Sequence, residues 1–247
     1  MYEEQFSRNW YFIDENLQKL VKRTNLLFAG CGLNSRIAEL AVRTGFERIT
    51  IWDGDEVELS NLNRQSFTRS DIGMNKARAT GRYLKSINED VYIDVHDSNI
   101  TFEDVGSLIK DNDFIVNTVD FGKLFFMITR KALEESKVAI LPLNVGFGSF
   151  VIVFNEYNKI LAEAEKTIED DTQMFLWLQK NLSLELPNYI NVEKLLNDRL
   201  RKGFDPQLGV TASQTASLVV VLIMKLIQNE EVNFFPQVNS IDMKLIK

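Results

Sequence analysis

The chain has 247 residues, of which 45% are hydrophobic and 26% charged, and its formal net charge is -7. That length permits one large α/β domain or a domain with an appendage, and the composition excludes disordered and fibrous classes. The acidic balance disfavours a nucleic-acid partner, while one cysteine, Cys31, and one histidine, His96, exclude an intramolecular disulfide and a Cys/His metal cluster.

The opening segment, "MYEEQFSRNWYF", carries acidic and aromatic residues where a signal peptide would carry a basic head and an apolar body, so a cytoplasmic location is expected. The first helix is expected over 14–23. "NLLFAGCG" then reads as a buried strand running into glycines, followed by a helix over 35–44 with Ile37, Leu40 and Ala41 inward. "RITIWDGD" is a second strand ending at Asp53. Beyond a polar loop, residues 73–87 suit a helix with Ala77, Leu84 and Ile87 on its apolar face. "VYIDVHD" alternates as a third strand, a short helix is expected over 101–110, and "DFIVNTVD" is a fourth strand. A helix over about 124–136 and the strands "VAILPLNV" and "SFVIVF" complete the alternation. Such a pattern predicts an α/β fold of Rossmann-like kind, a mostly parallel sheet with helices on both faces.

The pattern changes near Phe154. Residues 158–208 carry many charges, a helical stretch at "DTQMFLWLQKNL", and a looser section containing Pro187 and Pro206. Too small to build much core, they are expected to form an inserted helical or irregular segment, or a lid, packed on the main domain of residues 1–157 and 209–247. A long apolar helix over 211–228 should dock against the sheet. Its strongest run, "SLVVVLIMKLI", is interrupted by Lys225 and too short to span a bilayer, so no membrane partner is expected. The tail should add one or two edge strands.

Two features carry chemistry. Gly30 and Gly32 sit where the first strand turns into a helix, letting backbone approach a ligand and leaving helix N-terminal amides for an anionic phosphate. Asp53 closes the next strand about twenty residues later, where a carboxylate can accept from ribose hydroxyls. The turn alone suits NAD as well as ATP, or a purely steric role. "DGDEVELSNLNRQ" and the residues downstream of it favour a triphosphate. Arg64 supplies a planar set of donors, Lys76 a compact cation near a helix start, and Asp120, ending the fourth strand, a carboxylate able to hold magnesium.

These segments together resemble the ubiquitin-activating-like adenylyltransferases, the family of the sulfur-carrier activating enzymes of thiamine and molybdopterin synthesis. The resemblance rests on Ser7-Arg8, "AGCG", "DGDEVELSNLNRQ", "DIGMNKA" around Lys76 and "VNTVD" ending at Asp120, and extends weakly to "GVTASQTASLVVVLIMKLI". It implies ATP and magnesium, with a carboxylate attacking the α-phosphate and pyrophosphate leaving. On this resemblance Gly30, Gly32 and Asp53 bind nucleotide, with Asp53 on the ribose. Asn61 and Arg64 contact phosphates, Lys76 stabilises charge during transfer, and Asp120 positions magnesium. Arg8 reaches the neighbouring site of a homodimer.

Leu33, Asn34 and Ser35 stand where the family's turn carries more glycine, and are expected to narrow the phosphate approach. The family's paired zinc cysteines are absent, so no structural zinc is expected, and no cysteine is placed to form a thioester. The implied product is therefore an acyl-adenylate of a carrier-protein or peptide C-terminus, passed to an external nucleophile. Sulfur transfer, amine capture, peptide tailoring and an RNA-modification dehydratase all fit that better than a conjugation cascade. The alternatives are a catalytically weak scaffold of the same fold and an NAD-dependent oxidoreductase, which leaves the Asn/Arg segment unexplained. Phe147, Trp177 and Tyr189 read first as packing and second as the lining of a peptide groove.

Overall fold

Side-chain alternation along Asn25–Ala29 (β1) sends Leu26 and Phe28 into one hydrophobic layer and Leu27 and Ala29 into the other. Neither layer meets water, which is why this strand reads as a continuous apolar run. The computed structural model of the chain describes residues 2–182, 186 and 188–245, so Pro187 lies outside the described residues.

The other strands are Arg48–Trp52 (β2), Tyr92–His96 (β3), Phe114–Asn117 (β4), Val138–Val145 (β5), Gly148–Phe154 (β6) and Asn239–Asp242 (β7). They form a seven-stranded sheet in the order β3-β2-β1-β4-β5-β6-β7. Pairing is parallel from β3 through β5, and β6 and β7 join antiparallel. The mostly parallel sheet expected from the alternation is therefore present, with a single edge strand from the tail.

The helices are Tyr2–Gln5 (α1), Glu15–Arg23 (α2), Gly32–Thr44 (α3), Lys76–Ile87 (α4), Val105–Lys110 (α5), Lys123–Glu134 (α6), Lys159–Thr167 (α7), Asp171–Asn181 (α8), Val192–Lys202 (α9) and Gly209–Ile227 (α10). Leu17 of α2, Ile37 of α3, Leu84 of α4 and Val219 of α10 share the layer of Leu26 and Phe28. Val105 of α5, Phe125 of α6, Leu161 of α7 and Met174 of α8 share the other. Helices thus cover both faces.

Two helix starts and one segment differ from expectation. α3 opens at Gly32, inside the glycine turn, so the turn and the helix are one unit. α4 opens only at Lys76, because the Asn75 side chain accepts from the Arg78 amide at 3.0 Å and sets the start. Between β6 and α10 the described residues form three helices where one was expected. α7 and α9 are capped by Asn158 and Asn191. α9 is rich in charge and buries no residue, so it adds nothing to the core.

α10 also differs. At 19 residues it is long and apolar enough to cross a membrane by length and composition, contrary to the length inferred from its central run. It nevertheless packs against α3, β5 and β6 as a core helix. Thr215 donates to Ser149 of β6 at 2.9 Å, a buried pair that fixes its rotation against the sheet.

Candidate functional site

Strand order reverses about β1, which lies between β2 and β4, and the C-terminal ends of these three strands open a crevice where open α/β sheets bind ligands. The glycine turn, Asp53, Lys76 and Asp120 gather at these strand ends from separate loops.

Gly30 follows β1 with φ +81°. A Cβ there would lie 2.9 Å from Thr118 Oγ1 and 3.0 Å from the Thr118 carbonyl oxygen, so glycine is required both by the left-handed backbone and by the close passage of the chain after β4. Gly30→Ala should lower folding stability by about 2–4 kcal/mol, from αL strain plus the overlap. Urea unfolding checks this; an unshifted midpoint would contradict the steric account.

Gly32 opens α3 with Gln65 behind it, whose Nε2 would stand 3.3 Å from an added Cβ. Two of the three side chains after it do not narrow the turn as expected, because they point into the protein. Ser35 is fully buried, donates to the Gly32 carbonyl at 2.8 Å and accepts from the Ser66 amide at 3.0 Å. Asn34 is buried and donates to the carbonyls of Gly30 and Val116 at 2.8 and 3.0 Å, tying β1 to β4. Leu33 packs partly buried against the core. Residues that looked like obstacles brace the turn.

Asp53 lies directly beyond β2 and is buried. Its Oδ2 accepts from the Cys31 amide at 2.5 Å and its Oδ1 from the Asp55 amide at 2.8 Å. Burial raises its carboxyl above the usual range, against the lowering effect of those two amides and of the Lys76 charge. The carboxylate thus locks the glycine turn to the end of β2, and each oxygen retains a lone pair for a hydroxyl donor.

Cys31, inside the turn, is wholly buried, and burial followed by the Asp53 charge pushes its thiol well above the ordinary range. A thiol reagent at mildly alkaline pH should therefore label it only as fast as the native protein opens. Prompt labelling of folded protein would contradict this placement.

Lys76 is the first residue of α4, and its Nζ donates to Asp55 Oδ2 at 2.8 Å. The Lys76 side chain is 13% exposed and that of Asp55 69%, so the amine sits inward and its partner faces water. Asp120 follows β4 by three residues. Its carboxyl is raised by burial, then by the charges of Asp171 and Asp55, while Lys76 opposes the rise. Lys76, Asp53, Asp55 and Asp120 therefore share one electrostatic neighbourhood. Asp55 and Asp171 were not singled out from the sequence. Asp55 lies 21 residues from its partner and Asp171 about 50 from the loop it touches, with no local pattern joining them.

The polar loop reaches the crevice differently. Asn61 is buried, and its Oδ1 accepts from the Glu58 amide at 3.0 Å, stabilising the loop itself. Arg64 Nη1 donates to the Ser60 carbonyl and to Asn63 Oδ1, each at 2.8 Å, while its Nε is buried without a hydrogen-bond partner. Burial lowers the pKa of this guanidinium. An orphaned donor on a partly buried cation is what an anionic ligand would satisfy. The loop is held to α3 by Arg36 Nε, which donates to the Arg64 carbonyl at 3.2 Å.

Arg8 lies far from these residues in sequence, exposed on a short turn over Ser7–Asn9. Among the aromatics, Trp177 stacks on Phe235 with centroids 6.0 Å apart, and the Tyr189 hydroxyl is hydrogen-bonded to the Phe147 amide at 3.0 Å. The first is a packing contact and the second a hydrogen bond that ties the segment before α9 to the turn before β6.

The chain can be set beside known proteins. It is 35% identical over 143 residues to the sulfur carrier protein ThiS adenylyltransferase of Bacillus subtilis (strain 168), a match covering 56% of this chain and 41% of that protein. It is 36% identical over 107 residues to ubiquitin-like modifier-activating enzyme 5 of Drosophila persimilis, covering 43% and 26%. The matches thus span less than half the length of these relatives. Among solved structures, E. coli MccB with ATP superposes with a TM-score of 0.70 at 19% identity, covering 98% of this chain and 69% of that one. PaaA does so with a TM-score of 0.71 at 18% identity, covering 99% and 80%. These establish the fold. The model of the ThiF family matches residues 2–246, nearly the whole sequence, and the chain belongs to that family.

Proposed function

We propose that this protein adenylates the C-terminal carboxylate of a small carrier protein or peptide, using ATP and releasing pyrophosphate without a cysteine thioester. The observation that carries this reading is the inward ammonium of Lys76 at the strand ends, beside Asp53, Asp55 and Asp120. Nucleotidyl transfer needs such a cation where anionic oxygens meet, whereas hydride transfer does not require one. The names of the relatives support the same direction: a sulfur carrier adenylyltransferase, and MccB solved with ATP and with N-formylated MccA.

In this reading residues 1–157 and 209–247 form the adenylation domain and residues 158–208 a lid under which the acyl substrate's tail lies. The amides of the Gly30–Gly32 turn and Arg64 receive phosphate oxygens, with Asn61 shaping the loop and contacting phosphate through its remaining amide group. Asp53 receives the ribose. Lys76 exchanges Asp55 for the phosphates as the substrate carboxylate attacks the α-phosphorus and the bond to the leaving pyrophosphate breaks. No general base is needed, because the attacking carboxylate is already ionised at neutral pH.

Magnesium fits the donor set. Asp120 offers a hard oxygen, and among the described residues no three His, Cys, Asp or Glu side chains could together hold an ion, so phosphate and water must complete the shell. When bound, the ion supplies positive charge against the phosphates. Arg8 reaches the site of a second copy in a homodimer, and the location is cytoplasmic.

The test is ATP–pyrophosphate exchange with candidate carboxylate partners, comparing the native protein with Arg64→Ala and Asp120→Ala. Exchange that depends on the partner and falls in both variants supports the proposal. Tight NADH binding without ATP binding would replace it with an oxidoreductase, and ATP binding without turnover with a scaffold.

A further inference from the structure

We propose that Arg199 is a positioning residue for the nucleotide site, the keystone of a strap that joins the Asp120 loop to the Asn61–Arg64 loop. The inference rests on the adenylation reading, in which those loops hold the nucleotide, but its geometry stands independently.

Arg199 lies in the last turn of α9, in a helix that buries nothing, yet its own side chain is only 21% exposed. All three of its guanidinium nitrogens are engaged. Nη2 donates to Asp171 Oδ2 at 2.9 Å, Nη1 donates to Thr172 Oγ1, and Nε pairs with Asp205 Oδ1 at 2.6 Å. Two of these partners open α8, and the third lies on the segment that leads into α10.

Each branch ends on a site loop. On the first, Asp171 Oδ1 accepts from the backbone amide of Phe121 at 3.3 Å, the residue directly after Asp120. The next residue, Gly122, has φ +152° and runs close enough to the Glu169 carbonyl that a Cβ would meet it at 3.4 Å. On the second, two residues past Asp205, the Gln207 carbonyl accepts from Asn63 Nδ2 at 3.1 Å, beside Arg64. Gly209 then packs against the Asn63 backbone.

One guanidinium therefore connects a carboxylate-bearing loop and a cation-bearing loop that share no element of the sheet. The chemistry requires arginine. Its planar fork presents donors in fixed divergent directions, and a lysine ammonium in the same place would keep the charge but could not hold three partners in this geometry. Without the fork, Asp171 and Asp205 lose their shared counter-charge and each branch loses its anchor. Displacements of about an ångström in a transfer site are enough to cost about a hundredfold in rate.

The experiment measures backbone amide hydrogen exchange of the nucleotide-free protein as native, Arg199→Ala and Arg199→Lys, together with ATP–pyrophosphate exchange. In Arg199→Ala, segments containing Phe121–Gly122 and Asn61–Arg64 should both exchange faster while β1 and β2 keep their protection. The turnover number should fall roughly 10–100-fold with the ATP KM changed less than about threefold, and Arg199→Lys should fall between. A residue that merely holds α9 to α8 would loosen those helices and leave both site loops protected; that result, or loosened loops with unchanged turnover, overturns the inference. Should alanine unfold the protein, the lysine variant carries the same comparison. If the native protein performs no exchange reaction yet both loops loosen together, the strap stands and the adenylation reading fails.

Discussion

Lys76→Met is expected to slow ATP–pyrophosphate exchange by about 10²–10³-fold, the loss seen when one preorganised charge-stabilising donor is removed from a transfer site. Methionine keeps the apolar stem that lies against the strand ends and removes only the ammonium. The partner left behind, Asp55, is mostly exposed and regains water, so loss of that pair costs little, although Asp53 and Asp120 lose the charge that opposes their raised carboxyls. Stability and activity should therefore separate. The thermal midpoint should move by no more than about 2–4 °C, the equivalent of 1 kcal/mol or less in a chain of this size, while exchange collapses. A variant exchanging at the native rate would remove Lys76 from the mechanism, and a variant that unfolds would assign the ion pair to the fold instead.

Asp120→Ala should have an effect of similar size, about 10²–10³-fold on exchange, with the opposite sign on stability at neutral pH. The Asp120 carboxyl is raised by burial, then by Asp171 and Asp55. A raised carboxyl binds its proton more tightly in the folded than in the unfolded chain. Stability is therefore lost as pH rises from the unfolded pKa through the folded one, and above both the ionised group is a net penalty. Removing it relieves that penalty at neutral pH and changes nothing below the ordinary carboxylate range. Urea unfolding at both pH values should show the variant gaining on the native protein as pH rises. A variant that loses stability at neutral pH instead would mean that Asp120 holds its loop together.

The candidate site was legible to different depths. Gly30, Gly32 and Asp53 were readable because their roles follow from local geometry: a strand end, a left-handed turn, the next strand end. The structure adds that Asp53 reaches the turn through the Cys31 amide, so turn and carboxylate are one construction. Lys76 was readable as a cation near a helix start. Its inward amine and its pairing with Asp55 depend on how α4 packs beside β2 and β3, which no window of sequence contains. Asn34 and Ser35 were misread as obstacles because sequence lists a side chain without its direction. Asn34 and Ser35 are buried braces for the turn.

The alternation of strands and helices, the mostly parallel sheet and the family were legible in residue order, because period-two and helical patterns and contiguous motifs act over neighbouring residues. Within residues 158–208 the stretch that forms α8 was legible in the same way, while α7 and α9 were not. α7 and α9 are charged helices whose buried faces are small or absent, so neither carries a long apolar stretch. What places Arg199 between Asp171 and Asp205, and Asp171 against the amide after Asp120, is packing between segments tens of residues apart. Only the tertiary structure decides such contacts, because their strength depends on burial and direction, and neither exists until the chain has folded.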